Sequence, residues 1–191
     1  MLIANISLIG WLHTIACIVA LAAGAWNIVM PKGTPIHRRI GLAYVFAMLV
    51  ANISILAVYR FDVAKFRPFT AGPNTFGLFH WEAVTTLIAL LLAIYAAPRQ
   101  RRAVWAYTHP IAMLVTYYML IGGLINELFV RVAPLRALVR AQMHGPAGFF
   151  ATRAVGLTQF AAMIVFFVLL VYFIAKVAVA RHGRRAASVT A

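Results

Sequence analysis

Residues 6–30, ISLIGWLHTIACIVALAAGAWNIVM, hold no Lys, Arg, Asp or Glu and a single histidine. A helix of that length rises ~37 Å at 1.5 Å per residue, enough to cross a hydrocarbon core of ~30 Å. Four further stretches are similarly apolar, with at most one charged residue each, at about residues 40 to 59, 76 to 97, 109 to 130 and 157 to 179. Within lipid every backbone polar group must be satisfied inside its own segment, so apolar runs of this length read as helices. The expected fold is all-α: a polytopic transmembrane helical bundle with a four-helix core and a fifth helix.

Composition agrees. The 191 residues are 64% hydrophobic and 10% charged, with a mean hydropathy of +0.93, whereas soluble domains are about 25% charged. A water-soluble globule is excluded. The connections between spans are too short for a separate soluble domain of ~50 residues or more, so residues 1–191 read as one integral membrane domain.

The net charge of +14 arises from 17 Lys and Arg against 3 acids. These cations lie between the spans, where they meet anionic headgroups and orient the chain, and nucleic acid is not an expected partner. Lys32, Arg38, Arg39, Arg99, Arg101, Arg102, Lys176, Arg181, Arg184 and Arg185 fall on one side. Arg60, Lys65, Arg67, Arg131, Arg136, Arg140 and Arg153 fall on the other. The tighter clusters place the first side in the cytoplasm, the N-terminus outside and the C-terminus inside. Cys17 lies within the first span and reads as an inert buried thiol. The N-terminal segment lacks the positive n-region of a secretory signal and reads as a permanent first helix.

Turn residues mark the boundaries: Pro31, Gly33 and Pro35, then Gly72 and Pro73, then Gly145 and Pro146. Between the fourth and fifth spans, about residues 134 to 144 (PLRALVRAQMH) put Leu135, Leu138 and Val139 on one side and Arg136 and Arg140 on another. This predicts a short amphipathic helix in the interface. The RRAASVTA ending reads as a frayed tail.

The histidines carry the functional signal. His13, His37, His80 and His109 lie at or just before span beginnings. Because successive spans alternate in direction, His13 shares an outer level with His80, and His37 an inner level with His109. In a four-helix bundle each pair joins helices two apart in the chain. Paired histidines supply both axial ligands of a haem, the arrangement of an electron shuttle. Gly10, Gly77 and Gly41 lie three or four residues from His13, His80 and His37, leaving room for a flat macrocycle. Arg38 and Arg39, or Arg99 to Arg102, suit haem propionates. About 19 residues of helix, or ~28 Å, separate His80 from the level of His109, a long interval for direct transfer between two haems.

A rival reading uses the acids. Glu127 ends the fourth span at the level of His13 and His80, and Glu82 is two residues from His80. Such a set suits zinc or iron with an open position, with Glu82 as a base and His144 as a further ligand, and implies a metal site or a membrane hydrolase. Against it, Glu127 has Arg131 one turn on, and Glu82 sits where the helix dipole favours an acid. For each histidine an interfacial ring without a ligand is the plain alternative. Asn52, Thr85, Thr86, Thr116, Tyr117, Tyr118 and Asn126 are expected to make interhelical hydrogen bonds. The fifth span has neither His nor acid and reads as scaffold or as a surface for homo-oligomers. A third reading is therefore a structural or binding subunit without chemistry.

Two resemblances add to this. HPIAM at residues 109–113, together with the diagonal His pairs, resembles the two-haem b-type cytochromes of the ascorbate-dependent transmembrane class. More extensively, about residues 12 to 131 resemble a widespread family of bacterial membrane proteins whose shared domain has no assigned function. The matching positions are His13; Pro31, Lys32, Gly33, Thr34, His37, Arg38 and Gly41; Phe76, Gly77, Phe79 and His80; His109 and Met113; and Glu127. That resemblance implies a four-helix core in a bacterial inner membrane and supplies no activity. Together these readings give an inner-membrane protein with haem b as the expected cofactor, and a quinone or a redox protein as the expected partner.

Overall fold

The computed structural model describes residues 8–58, 78–142 and 152–189. These form α1 (Leu8–Val29), α2 (Pro35–Val58), α3 (Leu78–Ala96), a 3-10 turn (Ala97–Arg99), α4 (Ala103–Arg131), α5 (Ala133–Gln142) and α6 (Arg153–Val189). No strand occurs among the described residues. Five helices, α1, α2, α3, α4 and α6, are long and apolar enough to cross a membrane. The chain is all-α, as its apolar stretches require.

The chain divides into two compact units. The first comprises Met1–Ile88 and Met119–Gly123, and the second Ala89–Tyr118 and Leu124–Ala191. In the first, α1 and α2 form a packed hairpin. Ala16, Ala20, Gly24 and Asn27 are the buried positions of α1, spaced three and four apart on one face. Small residues at this spacing let backbones approach closely, which drives helix association in lipid. Tyr44, Ala47, Met48, Ala51 and Ser54 on α2 are buried. Large apolar side chains such as Leu12, Ile15, Ile18 and Trp26 point outward.

The turn between α1 and α2 follows from its residues. Lys32 Nζ donates to the Asn27 and Ile28 carbonyls at the end of α1, satisfying acceptors that a helix end leaves open. Gly33 then takes φ +82°, a region costly for any residue with a Cβ. Thr34 Oγ1 accepts from the His37 N–H at 3.1 Å, an N-cap, and Pro35 fills the first helical position, where its missing N–H costs nothing. This cap starts α2 five residues before the expected apolar boundary and places His37 inside the first turn.

In the second unit Leu90, Ala93 and Ala96 are fully buried. Gln159 Nε2 on α6 donates to Asn126 Oδ1 on α4 at 2.9 Å, and Tyr118 packs on Phe166 with centroids 4.8 Å apart. The Ala154 N–H donates to Gln142 Oε1 at 2.9 Å, tying α5 to the start of α6. The amphipathic helix expected at about 134 to 144 is α5, with Val139 buried and Arg136 and Arg140 exposed.

Four expectations need correction. Helix α4 begins at Ala103 rather than about 109, because VWAYT is itself apolar and aromatic enough to extend it, so Pro110 lies inside the helix. Helix α6 starts at Arg153 and continues through Val189. The ending is thus helical up to that residue instead of frayed, since Arg and Ala are strong helix formers. Asn52 Nδ2 donates to the Met48 carbonyl and Thr85 Oγ1 to the Trp81 carbonyl. These bonds stay within their own helices, where a carbonyl one turn back is the nearest acceptor.

Candidate functional site

His13 on α1 is held by α2. Its Nδ1 lies 2.9 Å from the Ala51 carbonyl oxygen and 3.1 Å from Ser54 Oγ. Ser54 Oγ–H is itself donated to the Ala51 carbonyl at 2.8 Å. A carbonyl only accepts, so Nδ1 carries the proton and the neutral ring has its lone pair on Nε2. That atom faces Cys17 Sγ at 3.5 Å, one turn on, and the thiol is a weak donor that a stronger ligand displaces. A ring fixed through Nδ1–H to a carbonyl, with Nε2 left to ligate, is the orientation that protein metal and haem sites use.

His109 repeats the device in the other unit. Its Nδ1 donates to the Ala93 carbonyl at 2.9 Å, which again leaves the lone pair on Nε2. Its register on α3 is therefore Ala93, thirteen residues of chain from His80 rather than the expected 19 or so, because α4 starts earlier.

His37 is set the other way. With the Asn27 amide oriented so that each end meets a complementary group, its oxygen accepts from the Gly41 N–H at 3.0 Å. Its nitrogen then donates to the His37 carbonyl and to His37 Nδ1, both at 3.3 Å. Nδ1 thus accepts, and Nε2 bears the proton of the neutral ring. The Asn27 amide also lies 3.5 Å from where a Cβ on Gly41 would stand, so the space expected for a macrocycle beside Gly41 is taken by Asn27.

His80, at the third position of α3, is 2% exposed. Two residues on, the Glu82 carboxylate lies against α4, with Oε1 3.5 Å from where a Cβ on Gly123 would stand. Glu127 is engaged by Arg131, whose Nε donates to its carboxylate one turn on. His144 lies outside the described residues, and His182 is exposed on α6. Among the described residues no three His, Cys, Asp or Glu side chains form a group that could hold a metal ion.

Sequence reasoning missed the partners that orient the rings. Cys17 was accessible from its i+4 spacing to His13. Ala51, Ser54 and Asn27 act across the hairpin, and their register depends on how the two helices pack.

Five apolar helices joined through basic connections make this an all-α, multi-pass membrane protein. No protein-family model matches the chain, and no curated protein or solved structure matches it either.

Proposed function

We propose that this protein binds haem b in a bacterial inner membrane and serves membrane electron transfer, its N-terminus outside and its C-terminus inside. His13 and His80 would hold the haem on the outer side, and a quinone or a redox protein is the partner. The observation that carries the reading is the hydrogen bond from His13 Nδ1 to the Ala51 carbonyl, which presents Nε2 as a ligand. The burial of His80 adds a second imidazole within apolar helices. Held by two imidazoles, haem would supply one-electron redox chemistry. The protein's own part is orientation and exclusion of water: Ala51 and Ser54 hold the His13 ring, and the apolar helices shield both histidines.

On the inner side His109 is the better donor. His37 reaches a ligand through Nε2 only by moving its proton to Nδ1 and giving up the N–H donated by Asn27. The zinc or iron alternative, with His13, His80, Glu127 and Glu82, draws less support, because Glu127 is already engaged by Arg131.

The test is an ultraviolet-visible spectrum of detergent-purified protein expressed with ample haem, before and after dithionite, with metal analysis of the same sample. The expected result is a Soret band that shifts on reduction, with sharp α and β bands, lost in both His13→Ala and His80→Ala and kept in Glu127→Ala. A colourless protein with stoichiometric zinc or iron, lost in all three variants, overturns the haem reading in favour of a metal site. A colourless, metal-free protein overturns both.

A further inference from the structure

The connection between α3 and α4, at the opposite end of α3 from His80, gathers cations that a haem held by His13 and His80 does not use. Arg99, Arg101, Arg102 and Trp105 line a hollow of about 270 Å³. The whole chain has three acids, Asp62, Glu82 and Glu127. Among the described residues Glu82 packs against Gly123 and Glu127 is engaged by Arg131. No described carboxylate forms an ion pair with these arginines.

One of these guanidinium groups is fixed in advance. The Arg99 guanidinium lies 3.6 Å above the Tyr95 ring centroid and donates to the Tyr95 carbonyl at 2.7 Å. Tyr95 meets Trp105 edge-on at 5.2 Å. A side chain held this way loses little rotamer freedom when a ligand arrives. Arg181 on α6 donates to the Arg101 carbonyl at 3.5 Å, bringing a fourth guanidinium to the same end. Each guanidinium has five N–H donors, so most donors around the hollow remain for a ligand.

Depth decides the ligand. The connection joins the ends of two apolar helices, so it lies at headgroup level, and Tyr95 and Trp105 belong to the aromatic belt found there. An anion arriving at that depth, recognised by converging guanidinium forks, is a phosphodiester. We propose that this hollow binds the phosphate of an anionic phospholipid.

The test is native mass spectrometry of the delipidated, full-length protein, prepared without haem supplementation so that the outcome is independent of the redox reading. Dioleoyl phosphatidylglycerol and dioleoyl phosphatidylcholine are titrated separately in detergent micelles. Wild type is expected to retain phosphatidylglycerol at least tenfold better, each nearby cation contributing roughly fivefold. The triple variant Arg99→Gln, Arg101→Gln, Arg102→Gln is expected to lose that preference, while Arg136→Gln with Arg140→Gln on α5 keeps it. Should the first variant fail to fold, the triple Arg→Lys variant serves, with a preference reduced severalfold because the planar fork is gone. Equal loss in the α5 variant, or full retention in the Arg99, Arg101 and Arg102 variants, overturns the proposal. Displacement of the lipid by millimolar inorganic phosphate also overturns it, showing a site for the free anion.

Discussion

The imidazole of His13 and the carbonyl of Ala51 are joined across the first hairpin at 2.9 Å, and Ser54 closes the same triangle from one turn along α2. His13→Ala removes both of the ring's contacts with α2 and is expected to cost about 0.6–2 kcal/mol, the range for polar contacts between membrane helices. Ser54→Ala leaves the His13 to Ala51 bond in place and is expected to cost less. Reversible unfolding in mixed detergent micelles ranks the two, and a larger loss in the serine variant contradicts the assignment.

The small-residue face of α1 predicts a sharp asymmetry. Ala20 is fully buried, so Ala20→Leu forces the hairpin apart and is expected to cost about 1–3 kcal/mol. Ile18 is 60% exposed, and Ile18→Leu changes nothing beyond about 0.5 kcal/mol. The same unfolding assay reads both.

At the turn, Gly33 has open space around its Cβ position, and only its backbone angle resists substitution. Gly33→Ala is expected to destabilise by about 1 kcal/mol. Thr34→Ala, which removes the cap of α2, is expected to cost about 0.5–2 kcal/mol. Both variants should speed tryptic cleavage after Lys32, and unchanged cleavage would show the turn to be held by something other than these two residues.

Asn126 is 4% exposed and pairs with Gln159. Gln159→Leu removes that partner, with an expected loss of about 1–3 kcal/mol for a buried polar group left unsatisfied. Replacing both residues with Leu should recover part of it. A double-mutant cycle with no coupling would show that α6 is held to α4 through other contacts.

Much of the fold was legible because lipid imposes one solution on a long apolar run. The five helices required only long runs that are predominantly apolar, with few or no charges. Boundaries were less legible: Thr34 and Pro35 start α2 ahead of its apolar stretch, and VWAYT extends α4 ahead of His109. The histidines were visible as candidates, yet which ring nitrogen each presents was not. That depends on Ala51, Ala93 and Asn27, which reach the rings across helix pairs whose rotation about their axes no single-helix pattern specifies. The arginine hollow was visible as a charge cluster, while its shape comes from the stack of Arg99, Tyr95 and Trp105.

Helix α6 also acts as a gauge. Arg153 begins it beside the end of α5, and Arg181 touches the α3–α4 connection. The 28 steps from Arg153 to Arg181 rise ~42 Å, comparable to the ~40–45 Å from one headgroup layer to the other. The helix continues to Val189, eight residues or ~12 Å of helix beyond Arg181. At 37 residues, or ~55 Å, α6 is longer than a bilayer is thick, so a helix of this length standing upright in lipid has turns to spare outside the hydrocarbon core.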